Sequence, residues 1–492
     1  MKTITPCPEN TITEMLSQFW MPHLIACEDI FEHLEYVDQS MKDIRKKALK
    51  KNLQEFDDLI SRDIPSGWRF KEYRRRTIIT LSGKITYLRR IYTEPSGICH
   101  AYLDEVLGIR TRRQLAPDAF LWVAKTAADL SFRNTAKTFF ERTGAKISHW
   151  LVMSVVREEG ALILRELYDE IAREKKGIEP TGTRYSQETL YVEFDGVHIP
   201  LQKSFHEPLK PRWQYESERQ KHSFELKSAV AYAGKDKKRR RVGVVHLALD
   251  EQPEAFWPLL SARIAQDYDP EDVAVLNASS DLAGWCKNHA LAEGFPSAHI
   301  NHYLDPYHVN REVKRAFGST KQASHMISLI YARKTKRLVR DLSRVIASAK
   351  KGKERKKYLK LLDYLQNSME MLRLGVRNNM GTMEGTNAHV YAARMKVWGG
   401  GWSREGAQAM ALIRARLASG KELITPTPDN VFFSDEQTRR RHHFEKRASL
   451  KSTWTPKESA GQGWEPPQGK VALTTHLPSR YYGLLVHPLN LN

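Results

Sequence analysis

Cysteine is scarce in this chain of 492 residues: Cys7, Cys27, Cys99 and Cys286 stand far apart and form no CxxC pair. That pattern indicates neither a disulfide framework nor a four-cysteine zinc site, and it fits a reducing cytoplasm. Cys286-x-x-His289 has zinc-like spacing but no second half, so no zinc site is assigned there. There is no run of the roughly 18 apolar residues that a membrane helix needs, and the start, MKTITPCPENTITEML, lacks the basic stretch and apolar core of a secretory signal. The expected protein is cytoplasmic, without a membrane partner. Acid is also in short supply, with 58 Asp and Glu against 78 Lys and Arg, a net charge of +20. Such an excess attracts polyanions by Coulomb steering and counterion release, which makes nucleic acid the first partner to consider. A merely soluble basic protein has the same balance, because charge speaks to association and not to mechanism.

What is present falls into blocks of different periodicity. Residues 11–62 carry apolar side chains at helical spacing (Phe31, Leu34, Val37, Met41, Ile44) among many charges, and 1–66 reads as a helical arm. Residues 74–93 hold two β-rich runs around Ser82-Gly83-Lys84 with arginines at the outer ends, which makes 67–114 a β-hairpin region with a basic flank. In 131–160 a helix, a break at Thr143-Gly144 and a second helix capped by Ser148 outline a helix-turn-helix within 115–175. There His149 and Trp150 are the candidates for meeting DNA bases, with an ordinary helical hairpin as the alternative. After a linker at 175–187, three strand candidates (188–199, 223–233, 241–249) suggest an antiparallel meander. A helix (253–265), a strand (273–277), a helix (281–293) and a strand (299–305) follow. That is the element order of an RNase H-like fold, whose first part spans 187–310. Residues 311–380 read as an all-helical, very basic insertion, 381–420 as the closing helices, and 421–492 as a basic, irregular tail. VWGGGW at 397–402 lacks phosphate-loop spacing and reads as a turn. The expected class is mixed α+β.

Two-metal nucleic-acid chemistry needs hard oxygen ligands converging on a pair of cations. Asp195 sits near the end of an otherwise apolar strand, where an uncompensated charge is costly. Glu193 shares its face by strand alternation and is an auxiliary ligand candidate. Asp281 lies just beyond a strand expected to neighbour that of Asp195, and Glu384 would project from the helix beginning near Met383. Each acid has a plain alternative: Asp281 as a helix N-cap, Asp195 as a turn residue before Gly196, Glu384 as a charge favoured by the helix dipole. Asp305 and His308, in D-x-x-H spacing at a helix start, are either a cap with a core histidine or a group that orients phosphate, ligates metal or moves a proton. Lys237, Lys238, Arg239, Arg240 and Arg241, with Lys356 and Lys357, are candidate phosphate contacts, although charge runs are more often solvated faces.

At YVEFDGVHI, SSDLAGW, YLDPYHV and above all GTMEGTNAHVYAARMKVWGGGWSREGAQAM (381–410), the sequence resembles the ISLre-type insertion-sequence transposases. The likeness runs from about Trp68 to Met410, and SFRNTAKTFFERTGAKIS also resembles a part of the Mutator-like transposases. The resemblance implies an RNase H-like domain with an aspartate, aspartate, glutamate triad, two Mg²⁺ or Mn²⁺ ions, and a helical insertion before the glutamate. Asp195, Asp281 and Glu384 fall on the triad positions, and Asp305 with His308 on the D-x-x-H element of the Mutator-like group. The family usually places a glycine on each side of the second aspartate; here Ser280 and Leu282 stand there. The implied activity is cleavage and strand transfer at the terminal inverted repeats of an insertion sequence into target DNA. The implied assembly is a homodimer or higher oligomer on nucleoid DNA. A related nuclease that does not transpose and a DNA-binding regulator with a dead catalytic domain are the alternatives.

Overall fold

The computed structural model describes residues 9–426 apart from 108, 110–113, 179–183, 203–222, 282–284, 286–291, 351, 378–379 and 398–399, all within the unit Met1–Pro428. Most of the predicted 281–293 helix, Leu282, Cys286, His289 and the tail beyond Pro426 lie outside the described residues. The chain is a mixed α+β protein.

Helices α1 (Glu9–Ala26) and α2 (Ile30–Ile60) open it, and Asp29 starts α2 by accepting from Glu32 N at 2.8 Å. Strands β1 (Arg69–Thr80) and β2 (Gly83–Thr93) form the expected hairpin, closed with Thr80 opposite Gly83, and β3 (Cys99–His100) adds a short third strand. Part of the basic flank is neutralised internally. Arg90 donates to Asp57 and Asp58 of α2, and buried Arg89 pairs with Asp104 of α3 (Tyr102–Val106). Helices α4 (Pro117–Ala127), α5 (Phe132–Thr143) and α6 (His149–Glu174) follow. Ser131 caps α5 and Ser148 caps α6, and between them Gly144 takes the left-handed conformation at φ +65°, which a side chain would strain.

The central sheet runs β10-β9-β4-β5-β8. Strand β4 (Thr189–Pro200) is in the middle and buried on both faces, with Leu190, Val192, Phe194 and Ile199 fully buried and the acids Glu193 and Asp195 among them. Strand β5 (Ser223–Tyr232) pairs antiparallel with β4, and β8 (Val245–Leu249) antiparallel with β5. On the other side β9 (Val275–Ser280) and β10 (His299–Leu304) are parallel to β4. The strand expected at 241–249 is interrupted. Arg241–Val242 (β7) pairs with Gly234–Lys235 (β6) as a separate small ribbon, and the sheet strand starts only after the turn at Gly243-Val244.

Helix α7 (Pro253–Ala265) packs on β5, β8 and α6. Helices α8 (Pro306–Phe317), α9 (Lys321–Tyr331), α10 (Thr335–Ser348), α11 (Lys353–Asn367) and α12 (Met369–Leu374) build a helical region with a core of its own, including Val309, Val313, Leu338, Leu342 and Leu365. It begins at Pro306, earlier than the periodicity suggests, because Asp305 caps it. Last come α13 (Met383–Thr386), a π-helical turn Asn387–Ala392, α14 (Ala393–Met395) and α15 (Arg404–Ala418), which lies on β8 and α6. The turn before α15 is tied to the end of β4 by Trp402 N donating to Pro200 O and Gln202 N to Trp402 O. Among the described residues no helix is long and apolar enough to cross a membrane.

Glu159 of α6 is fully buried; its Oε1 accepts from Ile424 N at 2.7 Å and its Oε2 has no hydrogen-bond partner. Burial pushes its pKa up to about 7. The folded chain therefore holds a proton that the unfolded chain releases, so this group's effect on stability is a loss as pH rises from about 4.5 through 7. Glu159→Gln should remove that loss, and its gain over wild type in thermal melts should grow between pH 5 and pH 8 toward an upper limit on the order of 3 kcal/mol. Equal gains at both pH values would contradict the burial argument.

Candidate metal centre

Register brings acids from three strands side by side. Phe194 of β4 lies opposite Ser280 of β9, and Ser280 opposite Leu304 of β10. The residues that follow these three are Asp195, Asp281 and Asp305. Strands β9 and β10 end there while β4 runs on to Pro200, so Asp195 lies mid-strand, not near the strand's end as expected, and the other two carboxylates join it from the adjacent strand ends.

Asp195 is buried, and its Oδ2 accepts from Asn387 Nδ2 at 3.0 Å while facing His308 Nε2 at 3.6 Å. Its Oδ1 accepts from Gly196 N at 2.8 Å. Ser228 Oγ lies 2.7 Å from both the Asp195 carbonyl and Asn387 Oδ1, so its one proton serves one of the two. Asp305 Oδ1 accepts from Tyr307 N at 2.7 Å and His308 N at 3.1 Å, which starts α8 and sets His308 one turn in. Burial raises the Asp305 pKa against those hydrogen bonds. Arg311 Nη2 donates to His308 Nδ1 at 2.9 Å, leaving Nε2 to face Asp195. Burial opposes charge on His308, but the hydrogen bond and charge of Asp195, with Asp305 and Asp281 behind, outweigh it and hold the pKa above the usual histidine value.

Asp195, Asp281 and His308 place one ligand atom each within 4.8 Å of one another. Two carboxylates suit a hard cation such as Mg²⁺ or Mn²⁺. With Nδ1 accepting from Arg311, His308 carries its proton on Nε2 and stands beside the carboxylates as a proton donor. Tyr364 of α11 adds to the fit. Its buried hydroxyl lacks a hydrogen-bond partner, and burial first, then the charges of Asp281, Glu312 and Asp305, raise its pKa. A buried polar group without a partner calls for water or a ligand.

Glu384 is placed differently: it is exposed in α13 and lies outside the cluster of three. It precedes Asn387 by three residues, which puts both on one helical face, and the helix is fixed to the sheet by Asn387.

Glu193 is not available as a ligand. Its Oε1 accepts from Tyr232 Oη at 2.6 Å and Thr382 Oγ1 at 2.7 Å, and its Oε2 from Gly381 N and Thr382 N, both at 2.7 Å. Every lone pair is used to anchor the loop into α13. Gly381 passes there at φ +87°, and a Cβ on it would meet Pro306 at 2.8 Å. Arg241 also departs from the expectation of a phosphate contact. Its guanidinium turns in to Thr386 Oγ1 at 2.9 Å and Thr382 Oγ1 at 3.3 Å.

Lys237, Lys238, Arg239 and Arg240 are exposed on the β6–β7 turn, and Lys356 and Lys357 on α11. Trp150, at the start of α6, is 61% exposed, with the His149 ring 5.3 Å away. The structure leaves these residues outside the cluster of three. Asn387, Ser228, Arg311 and Tyr364 were missed by sequence reasoning. Only Asn387, one turn after Glu384, carried a readable signal.

Mn²⁺ bound between Asp195 and Asp281 should raise the melting temperature by mass action. Asp195→Asn and Asp281→Asn should lose that rise. Glu193→Gln should melt lower in the absence of metal, by roughly 3 kcal/mol, yet keep the rise. A rise that disappears in Glu193→Gln alone would exchange the roles assigned to Glu193 and Asp195.

A UPF0236 protein of Caldanaerobacter subterraneus subsp. tengcongensis is 24% identical over 403 residues, spanning 80% of this chain and 79% of its own length. A UPF0236 protein from the vanSb 3′ region of Streptococcus gallolyticus is 21% identical over 408 residues, spanning 79% and 84%. The pattern of the Uncharacterised protein family (UPF0236) matches residues 28–425, and the chain belongs to that family.

Proposed function

We propose that this chain is a transposase of the ISLre type, which cuts and joins DNA on an RNase H-like domain. The observation that carries the reading is the sheet order. Numbered along the chain, the strands lie 3-2-1-4-5, with the third and second antiparallel partners in line and the fourth and fifth parallel to the first. Asp195 stands within the first strand and Asp281 directly after the end of the fourth, at neighbouring positions of the two. A helical region then separates them from the helix of Glu384, as a triad of this kind requires.

Mg²⁺, when bound, supplies charge neutralisation at the scissile phosphate and lowers the cost of deprotonating the attacking water or 3′-hydroxyl. Asp195 and Asp281 would hold it, and Glu384, exposed on α13, would be the third carboxylate of the set. Asn387 and Ser228 keep Asp195 aimed, and His308 stands where a proton can be given or taken near the phosphate. The exposed Lys237–Arg240 turn, Lys356 and Lys357 neutralise DNA backbone, while Trp150 and His149 lead the second helix of a helix-turn-helix toward the bases. Work on two element ends favours a dimer or higher oligomer on DNA.

The names of the relatives support a mobile gene. One Caldanaerobacter relative's name joins eleven designations and another's four, and repeated copying within one genome would leave such a set.

The test uses duplexes carrying the ends of the element that encodes this chain, with Mg²⁺ and target DNA. Wild type should nick and join. Asp195→Asn, Asp281→Asn and Glu384→Gln should each lower joining by at least about 1000-fold, the scale of losing a transition-state charge stabiliser, while end binding stays. Nicked but unjoined products would favour a nuclease, and binding without metal-dependent cleavage a regulator.

A further inference from the structure

A second cluster of metal-ligating side chains lies in the helical arm, away from the acids. His23 is in the last turn of α1 and Cys27 is the first residue after the helix, its N–H donating to His23 O at 2.9 Å, which keeps the two close; His33 comes from the first turn of α2. The ligand atoms of the three residues all lie within 4.8 Å of one another. The two Nδ1 atoms are 3.4 Å apart. Two imidazole nitrogens on a tetrahedral zinc, at Zn–N of roughly 2.0–2.1 Å, stand about 3.3–3.4 Å apart, so this spacing matches a shared ion.

The surroundings hold the group in place. The His23 ring stacks on Tyr36 with centroids 3.9 Å apart and planes within 6°. His33 is 9% exposed on a pair of helices that otherwise present many large apolar side chains to solvent. Trp20 Nε1 donates to Ser40 Oγ at 2.7 Å, a further tie between α1 and α2. Cys27 Sγ donates to Leu24 O at 3.2 Å and stays partly accessible.

We propose that His23, Cys27 and His33 bind a zinc ion that pins α1 to α2. Two imidazoles and a thiolate are borderline-soft donors, which select Zn²⁺ over the Mg²⁺ or Mn²⁺ suited to Asp195 and Asp281. Cys27 gives its proton to solvent as the sulfur–zinc bond forms, and water fills the fourth position. The ion would join the end of α1 to the first turn of α2. Because the donor sets differ, the arm and the acid cluster do not compete for the same ion.

Cobalt(II) is the probe, titrated into the metal-stripped full-length chain with excess Mg²⁺ present. Thiolate ligation should give a sulfur-to-cobalt charge-transfer band in the near ultraviolet that saturates at one equivalent and is bleached by Zn²⁺. Cys27→Ser should abolish the band, and His23→Gln and His33→Gln should each weaken cobalt binding at least tenfold at unchanged helical circular dichroism. Cys99→Ser and Asp195→Asn should keep it. Absence of the band in wild type, its survival in Cys27→Ser, or indifference to both histidine variants would overturn the site, and none of these outcomes bears on the acid cluster.

Discussion

Several carboxylates crowd one end of a buried sheet, and much of the surrounding architecture answers that constraint. Taking like charges out of water together is costly unless each finds a partner. Glu193 is satisfied by four hydrogen bonds and Asp305 by two backbone N–H groups. Asp195 has the Asn387 amide, Gly196 N and the His308 ring. A divalent cation between Asp195 and Asp281 would add compensation that the neutral donors around Asp195 do not supply.

The same compensation organises the chain over long distances. By holding Gly381 and Thr382, Glu193 fixes where α13 begins, and Arg241 grips the helix from the other side through Thr382 and Thr386. Asn387 then reaches Asp195 as the helix widens to π-helical geometry, a local form often found at functional sites. Glu384 is carried on this anchored segment. A helical region with its own core intervenes in sequence between Asp281 and Glu384 without disturbing the sheet, because its apolar side chains pack largely on one another.

Local patterns made much of the fold legible in the sequence. β-rich runs marked β4, β5 and β10, and a short apolar run at 273–277 marked β9, which lies a little later, at Val275–Ser280; Thr143-Gly144 and Ser148 marked the α5–α6 break; and D-x-x-H marked the cap at Asp305 and the buried His308. The strand written as 241–249 was misread because Arg241, Val242, Val244 and Val245 suit a strand, while the turn between them is set by pairing with Gly234–Lys235. Glu193 and Arg241 were assigned by face and by charge, and neither rule shows that Thr382 lies beside both. Asn387, Ser228 and Tyr364 matter through contacts with residues remote in sequence, which periodicity does not encode. The same holds for His33, whose partners His23 and Cys27 lie at and just after the end of another helix.

The central claim is that Asp195 and Asp281 jointly hold the ion that a DNA-cutting triad needs, with Glu384 closing on it. It is tested most directly by anomalous diffraction at the manganese edge from crystals grown with Mn²⁺ and an element-end duplex. The account predicts a peak bridged by the Asp195 and Asp281 carboxylates, with Glu384 turned in. Manganese bound elsewhere with those two carboxylates unligated would contradict it.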